Sequence, residues 1–382
     1  DAFFEAMSGL TTTGSTVFTG LDDMPKGLLL WRGILQWLGG IGIIVVAMVF
    51  LPELRVGGMQ IFRTEAFDTF GKILPRATEI ASRISVIYVS LTLICALAYI
   101  SAGMNAFDGT VHAMTTIATG GFANYDASFG AFPPAASYVA TLFMILAALP
   151  FVRFVQLSAG TARPFLYDRQ IHVFLVTALV IVSLITTWNL WQQHSVGEGA
   201  VRLALFNTVS LMTGTGYANA DYMQWGSFAI TILFFTGLIG GCAGSTACSI
   251  KVFRYQLLFA SIRAQLQKTR SPHGIFTPRY AGRPVGEDVL NSVMSFFMFF
   301  TVTLGLLAVA LAMTGLDFVT AVSGAASALA NIGPGLGDRI GPAGNFASLN
   351  DTAKWLLAAA MLIGRLELMA VYVIFTIQFW RA

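Results

Sequence analysis

One short motif occurs twice in this chain and has two looser copies, and its spacing restricts the fold more than any other feature. Residues 216–221 read Gly-Tyr-Ala-Asn-Ala-Asp, and residues 121–126 read Gly-Phe-Ala-Asn-Tyr-Asp. Residues 11–15 (Thr-Thr-Thr-Gly-Ser) and 330–337 (Ala-Asn-Ile-Gly-Pro-Gly-Leu-Gly) match less closely. Recurrence roughly every hundred residues indicates one structural unit used four times. The glycine that aligns the copies is called the anchor: Gly14, Gly121, Gly216 and Gly333.

The match between the four copies extends upstream of the anchors. The residue six positions before each anchor is small and carries a hydroxyl group. These residues are Ser8, Thr115, Ser210 and Ser327. Agreement at this distance favours a shared local structure over a chance run of Gly and Thr.

The composition is that of an integral membrane protein. The 382 residues are 56% hydrophobic and 11% charged, with a mean hydropathy of +0.72, whereas soluble domains carry about 25% charged residues. We therefore expect an all-α polytopic membrane protein. Seven segments are long enough to cross a hydrocarbon core of about 30 Å: residues 27–51, 84–103, 133–154, 170–192, 227–254, 289–314 and 353–380.

A shorter segment precedes each anchor. At about 1.5 Å per residue it reaches only ~15–20 Å, so it enters the membrane without crossing it. These four half-helices are expected at residues 1–10, 105–119, 199–212 and 317–330. The chain then divides into four pseudo-symmetric repeats around a central pore: residues 1–51, 82–154, 170–265 and 288–380. The first repeat starts at its half-helix, so we expect earlier residues in the complete protein.

Lysine and arginine predict the orientation. Residues 51–83, 153–171 and 251–284, with Arg381, hold sixteen of the twenty-two, and the positive-inside rule places them in the cytoplasm. All four motif copies then face outward. That side also carries eleven of the nineteen acids, including Asp22, Asp23, Asp126, Asp221 and Asp338. An acidic mouth would concentrate cations, although loops that are polar everywhere would give a similar count.

Four such loops around one axis would suit a cation filter. Backbone carbonyls arranged in a ring can replace the hydration shell of a potassium ion, and glycine permits the dihedral angles and the close approach that this requires. Each half-helix would point its partially negative C-terminus at the ion. Ordinary Gly/Thr turns between helices remain the alternative. However, each of the four motif copies follows a half-helix, and this position favours a pore.

Several other classes of protein find no support in the sequence. The three cysteines and four histidines form no metal-ligand pattern, and we see neither a nucleophile–base pair nor a phosphate-binding loop. We expect no enzymatic activity, no bound organic cofactor and no nucleic-acid partner. Potassium is expected as the transported ion.

The motifs together resemble one family. They are Thr11-Thr-Thr-Gly-Ser15, Gln36-Trp-Leu-Gly-Gly-Ile-Gly42, Gly240-Gly-Cys-Ala-Gly-Ser-Thr246, Ile250-Lys-Val-Phe-Arg254, Asn331-Ile-Gly-Pro-Gly-Leu-Gly337 and Gly364-Arg-Leu-Glu367. With them, the chain resembles the Trk/Ktr/HKT superfamily of potassium transporters and, within it, the bacterial TrkH type. The resemblance implies four potassium-channel-like M1–P–M2 repeats (span, half-helix, span), with the first truncated. It also implies a homodimer in membrane lipid, in the bacterial inner (plasma) membrane, with the filter facing the periplasm.

The resemblance further implies a cytoplasmic ring of nucleotide-binding TrkA-type regulatory subunits and a set of ion-facing carbonyls. These carbonyls would belong to Thr12, Thr13, Gly14, Thr119, Gly120, Gly121, Gly214, Thr215, Gly216, Asn331, Ile332 and Gly333. In the family, glycine at every anchor accompanies preference for potassium over sodium. An aromatic residue follows only two anchors, and Ser15 and Pro334 break the pattern, so we expect a filter without exact four-fold symmetry.

Two features are expected to control passage below the filter. Residues 237–248 interrupt the second span of the third repeat with small residues that cannot cheaply sustain a lipid-facing helix. They resemble the family's intramembrane loop, and we interpret them as a mobile gate; a static kink is the alternative. The gate residues named on this basis are Gly240, Gly241, Gly244, Ser245 and Thr246.

Arg365 is the second control feature. A charge in the middle of a membrane helix costs at least about 2.5–3.5 kcal/mol, so we expect it to face the pore and slow cations. The alternative is a structural pair with Glu367 or a loop carbonyl, although a residue two positions away lies off the same helical face.

Lys251 and Arg254 either anchor the loop to a cytoplasmic partner or mark the membrane boundary. The basic segment 254–283 either docks the regulator or contacts anionic lipid.

A different class of function also remains open. A substrate-binding, ion-coupled secondary transporter can also contain broken helices near the middle of the membrane. Such transporters are often built from inverted repeats, whereas the four units here run in the same direction, which favours the pore. The sequence is compatible with passive passage and with proton-coupled symport alike.

Overall fold

The computed structural model describes residues 1–49, 77–374 and 380. Most of the polar connection predicted between the first two repeats, and the end of the last predicted span, lie outside these residues. The described helices are α1 (Ala2–Leu10), α2 (Lys26–Val49), α3 (Ala77–Ser101), α4 (Ala106–Ile117), α5 (Pro134–Ala147), α6 (Phe151–Ser158), α7 (Arg163–Leu166), α8 (Arg169–Trp191), α9 (Gly197–Thr213), α10 (Gly226–Leu238), α11 (Val252–Arg270), α12 (Glu287–Met313), α13 (Phe318–Ala330), α14 (Gly337–Ile340), α15 (Asp351–Arg365) and α16 (Leu368–Ile374).

The remaining regular elements are short. The 3-10 helices are Leu21–Asp23, Ser128–Ala131, Tyr222–Trp225 and Phe346–Ser348, and the strands are β1 (Arg279–Tyr280) and β2 (Arg283–Pro284). The two strands pair antiparallel, with Tyr280 opposite Arg283. Helices therefore determine the architecture of the described part of the chain.

Four of the described helices are long and apolar enough to cross a membrane by themselves: α2, α3, α8 and α12. Their outer faces expose apolar side chains, with Leu97, Leu179 and Leu306 exposed to 68%, 66% and 68%. Contiguous exposed apolar surface of this kind is expected where lipid is the solvent.

The other three predicted spans are not single helices. Residues 133–154 form α5 and α6, which meet at an angle of 89°. Pro150 lies at this bend; proline lacks an N–H donor and disfavours a helical residue before it. Residues 227–254 are interrupted between Leu238 and Val252, close to the predicted interruption. Residues 353–374 break after Arg365, where Glu367 has a φ of 63°.

Short helices occupy the four segments predicted as half-helices: α1, α4, α9 and α13. Two of them begin at side-chain caps, because Asn105 accepts a hydrogen bond from the Asp108 amide and Asp317 accepts one from the Thr320 amide. The second halves of α4, α9 and α13 are almost entirely buried, including polar residues such as Ser210 and Thr213.

The half-helices pack in the same way four times. Each one packs against the next helix of eight or more residues along the chain: α1 on α2, α4 on α5, α9 on α10 and α13 on α15. Each also packs against the corresponding helix of the preceding repeat: α4 on α2, α9 on α5, α13 on α10 and α1 on α15. The last contact joins the two ends of the described chain, the first and fourth predicted repeats, so the contacts form a closed circle.

Candidate functional site

All four half-helices end with the same pair of backbone hydrogen bonds. The amide one position before each anchor donates to the carbonyl six positions before it: Thr13 to Ser8, Gly120 to Thr115, Thr215 to Ser210 and Ile332 to Ser327, at 2.8–3.0 Å. The amide two positions before the anchor donates to the carbonyl five before it: Thr12 to Gly9, Thr119 to Thr116, Gly214 to Leu211 and Asn331 to Ala328, at 3.0–3.4 Å. This pair of bonds is the Schellman arrangement, which satisfies carbonyls at the helix end.

The motif loops, meaning the three residues that end at each anchor, share an unusual backbone. The first and third residues of each loop are left-handed, with φ between 49° and 110°. These pairs are Thr12 and Gly14, Thr119 and Gly121, Gly214 and Gly216, and Asn331 and Gly333. Left-handed dihedrals suit glycine and cost other residues free energy, so the three non-glycine positions are held there by their surroundings.

The four motif loops contact one another in a ring. A Cβ atom placed on Gly14, Gly121 or Gly216 would overlap the carbonyl oxygen of Gly120, Thr215 or Ile332 respectively, and one on Gly333 would lie 2.9 Å from the carbonyl oxygen of Thr13. Each anchor therefore lies against the residue before the next anchor, in the order first, second, third, fourth and back to the first. Side chains are excluded from these positions by space as well as by dihedral angle.

One cavity meets all four loops. It measures about 260 Å³, and every anchor glycine lines it. Asp126 and Arg32 also line it, so the mouth carries both signs of charge. The Asp126 carboxylate accepts hydrogen bonds from the amides of Gly20 at 2.9 Å and Leu21 at 3.1 Å, which ties the second motif loop to the segment after the first.

Helix α2 braces the second motif loop. The Gln36 amide nitrogen donates to the Gly120 carbonyl at 2.6 Å, and its oxygen accepts from the Phe122 amide at 3.0 Å. Gly39, three residues after Gln36, permits a close contact between α2 and α1, because a Cβ there would overlap the Leu10 carbonyl. The sequence drew attention to the glycines and not to Gln36, whose partners are distant in the chain.

A buried ion pair braces the first two loops from outside. Arg32 donates to Glu5 at 2.8 Å and to the Ala123 carbonyl at 2.9 Å, and Glu5 also accepts from the Val17 amide at 2.9 Å. The Arg32 guanidinium lies 4.1 Å from the centre of the Phe122 ring. Sequence reasoning assigned no role to this pair; a charged residue in each of two apolar segments was the available signal.

The hydrogen bonds made by side chains differ among the four loops. Thr11 bonds Thr13, and Thr213 bonds Thr215, both at 2.7 Å. In the fourth loop, Asn331 donates to Thr13 at 2.8 Å and to the Met361 carbonyl at 2.9 Å. The outer ends differ too, because Ser15 donates to the Gly333 carbonyl at 2.7 Å. The arrangement is therefore only pseudo-symmetric at side-chain level.

The intramembrane loop, residues 239–251, lies against the inner ends of the half-helices. Its Cys248 and Ser249 amides donate to the carbonyls of Thr213 at 3.3 Å and Ala330 at 2.9 Å, the last residues of α9 and α13. The Thr12 hydroxyl lies 3.6 Å from the Cys248 sulfur. The loop therefore bonds carbonyls that a helix end leaves without an intrahelical partner.

The other side of the intramembrane loop is bonded to the bend between α5 and α6. The Cys242 amide donates to the Ala148 carbonyl at 2.9 Å, and the Phe151 amide donates to the Gly244 carbonyl at 2.9 Å. Farther along, the Ala243 amide donates to the Gln170 side chain at 3.0 Å. Polar backbone at membrane depth is thus satisfied inside the protein.

Arg365 contacts the intramembrane loop directly. Its Nη1 donates to the Cys248 sulfur at 2.7 Å and lies 3.3 Å from the Thr246 carbonyl. Lys251 donates to the Ala247 carbonyl within the same loop. Arg365, Lys251 and Cys248 line a second cavity of about 40 Å³, which Asn331 of the fourth motif loop also reaches. The structure thus brings Arg365 and two of the predicted gate residues, Gly244 and Ser245, together beside the fourth motif loop.

Glu367 pairs with a different arginine from the one considered in the sequence. Its carboxylate accepts from Arg254 at 2.6 Å, and Arg254 is 1% exposed, 3.8 Å from the centre of the Phe296 ring. Both sequence interpretations of Arg254, a contact to a cytoplasmic partner and a marker of the membrane boundary, stay predictions, and the structure adds this buried pair with Glu367. The pairing was hidden because residues 254 and 367 belong to different repeats.

Comparisons with known proteins show the family of this chain. The sequence model of the TrkH family of cation transport proteins matches residues 1–381. The chain is 46% identical to the Trk system potassium uptake protein TrkI of Halomonas elongata, over 100% of this chain and 78% of that protein. It is 39% identical to the Trk system potassium uptake protein TrkH of Escherichia coli K12, over 100% and 79%.

A solved structure is similar along the whole chain. The crystal structure of the potassium transporter TrkH from Vibrio parahaemolyticus superposes with a TM-score of 0.89 and 35% identity, covering 100% of this chain and 79% of that one. Family and fold thus agree on a membrane protein that transports cations and is not an enzyme. The chain belongs to the TrkH family of cation transport proteins.

Proposed function

We propose that this protein takes up potassium ions across the bacterial inner membrane through a filter built from its four motif loops. One observation carries the proposal: four anchor glycines, far apart in the sequence, line one cavity and contact one another in a closed ring. The potassium uptake proteins among the relatives support the choice of ion.

The filter would act through backbone oxygens. The ligands are the carbonyls of the motif loops, residues 12–14, 119–121, 214–216 and 331–333, of which the Gly333 oxygen must first release one of the hydrogen bonds that it accepts from Ser15 and Ser327. Gly120 can serve although Gln36 donates to its oxygen, because a carbonyl has two lone pairs. Carbonyl oxygens replace the water that a bare potassium ion loses, and the half-helix C-termini add partial negative charge.

The gate would be the intramembrane loop together with Arg365. The loop bonds the inner ends of α9 and α13, and the arginine bonds the loop. Such contacts support a closed arrangement, in which the loop blocks the path and a positive charge opposes cations. Opening then requires the loop to leave these carbonyls.

Orientation and partners follow the family. The motif loops would face the periplasm, two copies would form a homodimer, and TrkA-type subunits would act on the cytoplasmic side. The closed circle of like-oriented repeats favours this pore over a secondary transporter with inverted repeats. The likeness to the solved structure of a potassium transporter favours it as well.

Rubidium flux into proteoliposomes tests the proposal. Excess potassium should suppress uptake of labelled rubidium strongly, and excess sodium only weakly. Gly216→Ser should abolish this discrimination, because a side chain there collides with the Ile332 carbonyl. Gly20→Ser is the matched control, since Gly20 is also left-handed but has open space around it. Equal suppression by sodium and potassium in the unmodified protein would refute potassium selectivity.

A further inference from the structure

The small cavity beneath the motif loops has an unusual lining for a cation path. Its volume is about 40 Å³, and two cationic side chains, Arg365 and Lys251, border it together with Glu367. A cavity of ~10–15 Å³ already holds one water molecule on the same measure. The space therefore has room for a small ion with water beside it.

Two donors of Arg365 have no partner among the described residues. Nε and Nη2 make no hydrogen bond, while the whole residue is 8% exposed. A buried donor without an acceptor is costly, and more so when it is charged. The guanidinium borders the cavity, so an acceptor bound there would satisfy these donors.

The local charges define which acceptor is favoured. Glu367 is the acid that lines the cavity, and Arg254 already pairs with it at 2.6 Å. Arg365 and Lys251 then leave an excess of positive charge in a buried site. Unpaired charge is expensive at membrane depth, and an anion offsets it where a neutral water does not.

We propose that this cavity binds a small monovalent anion, chloride under ordinary conditions, between the Arg365 guanidinium and the Lys251 ammonium. The site itself stands apart from the proposed transport function; its effect on flux rests on that function. The two cations belong to different elements, the end of α15 and the start of α11. An anion between them reduces their repulsion and therefore stabilises the intramembrane loop in its closed position.

Bromide is a direct probe of the site, because it is chemically close to chloride and has a strong anomalous signal. Crystals of the complete protein grown in potassium bromide should show an anomalous peak bordered by Arg365 and Lys251. Lys251→Met, which keeps the unbranched shape and most of the length of the side chain, should remove the peak, and Arg263→Met, at an exposed position of α11, should retain it. No peak in the unmodified protein would overturn the proposal. A peak that persists in Lys251→Met would mark an adventitious ion only, which also overturns it.

Anion replacement tests the consequence for flux. Rubidium uptake into proteoliposomes should rise about five-fold or more, the lower end of ordinary coupling between sites, when chloride is replaced by gluconate, which is too large for the cavity. Lys251→Met should lose this anion dependence, and Arg263→Met should keep it. Equal flux in both anions would refute the effect on the gate. Absence of uptake in both would refute the transport function, while the bromide peak would still decide the site.

Discussion

At the scale of single residues, the motif loops depend on side chains that hold backbone carbonyls in place. Gln36 is the clearest case, because one amide group bonds both the Gly120 carbonyl and the Phe122 amide. It thereby fixes the two peptide groups on either side of the anchor Gly121. A filter that discriminates between ions by carbonyl position or number requires such support.

Gln36→Leu should reduce the preference for potassium over sodium by roughly tenfold. The substitution keeps the volume but leaves a buried carbonyl and amide unpaired, and each such loss costs about 1–3 kcal/mol. Competition of sodium and potassium against rubidium uptake measures the ratio. Gln224→Leu, at an exposed position, is the control and should behave as the unmodified protein does. An unchanged ratio in Gln36→Leu would show that the bracing is unimportant for selectivity.

Glu5→Gln should destabilise the fold by about 3–5 kcal/mol, because it leaves the Arg32 guanidinium buried without its counter-charge. Thermal unfolding in detergent is the measurement. Glu198→Gln breaks the pair with Arg202, in which the glutamate side chain is 60% exposed, and should change the midpoint little. Similar midpoints for both variants would contradict the stabilising role assigned to the Glu5–Arg32 pair.

At the scale of elements, the broken helices matter most. The breaks in α5–α6, in α10–α11 and in α15–α16 all meet the intramembrane loop or the residues that contact it. The loop bonds Ala148 at the first break, and Arg365 ends the helix before the third. The α10–α11 break is the loop itself, and the loop is held by the other two breaks, so a shift in either of them changes its contacts.

Arg365→Ala, and separately deletion of residues 243–245, should each speed rubidium uptake. The first removes a positive charge and two contacts to the intramembrane loop, and the second removes contacts between the loop and the bend. Arg263→Ala controls for loss of an exposed arginine. Unchanged uptake with an unchanged melting temperature would refute the gate. A large drop in melting temperature without faster uptake would assign Arg365 a structural role instead.

Sequence predicted the half-helices better than the breaks. Length and a Gly/Thr ending placed α1, α4, α9 and α13 within a few residues. The bend at Pro150 was not predicted. Residues 133–154 are apolar on both sides of it, so hydropathy alone predicts one continuous spanning helix. Partners such as Gln36 with Gly120, or Arg254 with Glu367, lie 84 and 113 residues apart. No local pattern reveals which distant segments will meet.

At the scale of the whole molecule, the closed circle of packing contacts is the central feature. Each half-helix touches its own following helix and the equivalent helix of the preceding repeat, and α1 completes the circle on α15. The sequence predicted four related units from the motif alone. It did not predict the order of contacts around the circle, which arises from packing between repeats.

The most direct test is to locate a heavy potassium analogue in the protein. Anomalous diffraction from crystals containing thallium or rubidium should show a peak on the axis enclosed by the four anchor glycines. The peak should lie within coordination distance of the carbonyl oxygens of the motif loops. Motif loops without a peak, at concentrations of the analogue that saturate transport, would contradict a filter built from these carbonyls.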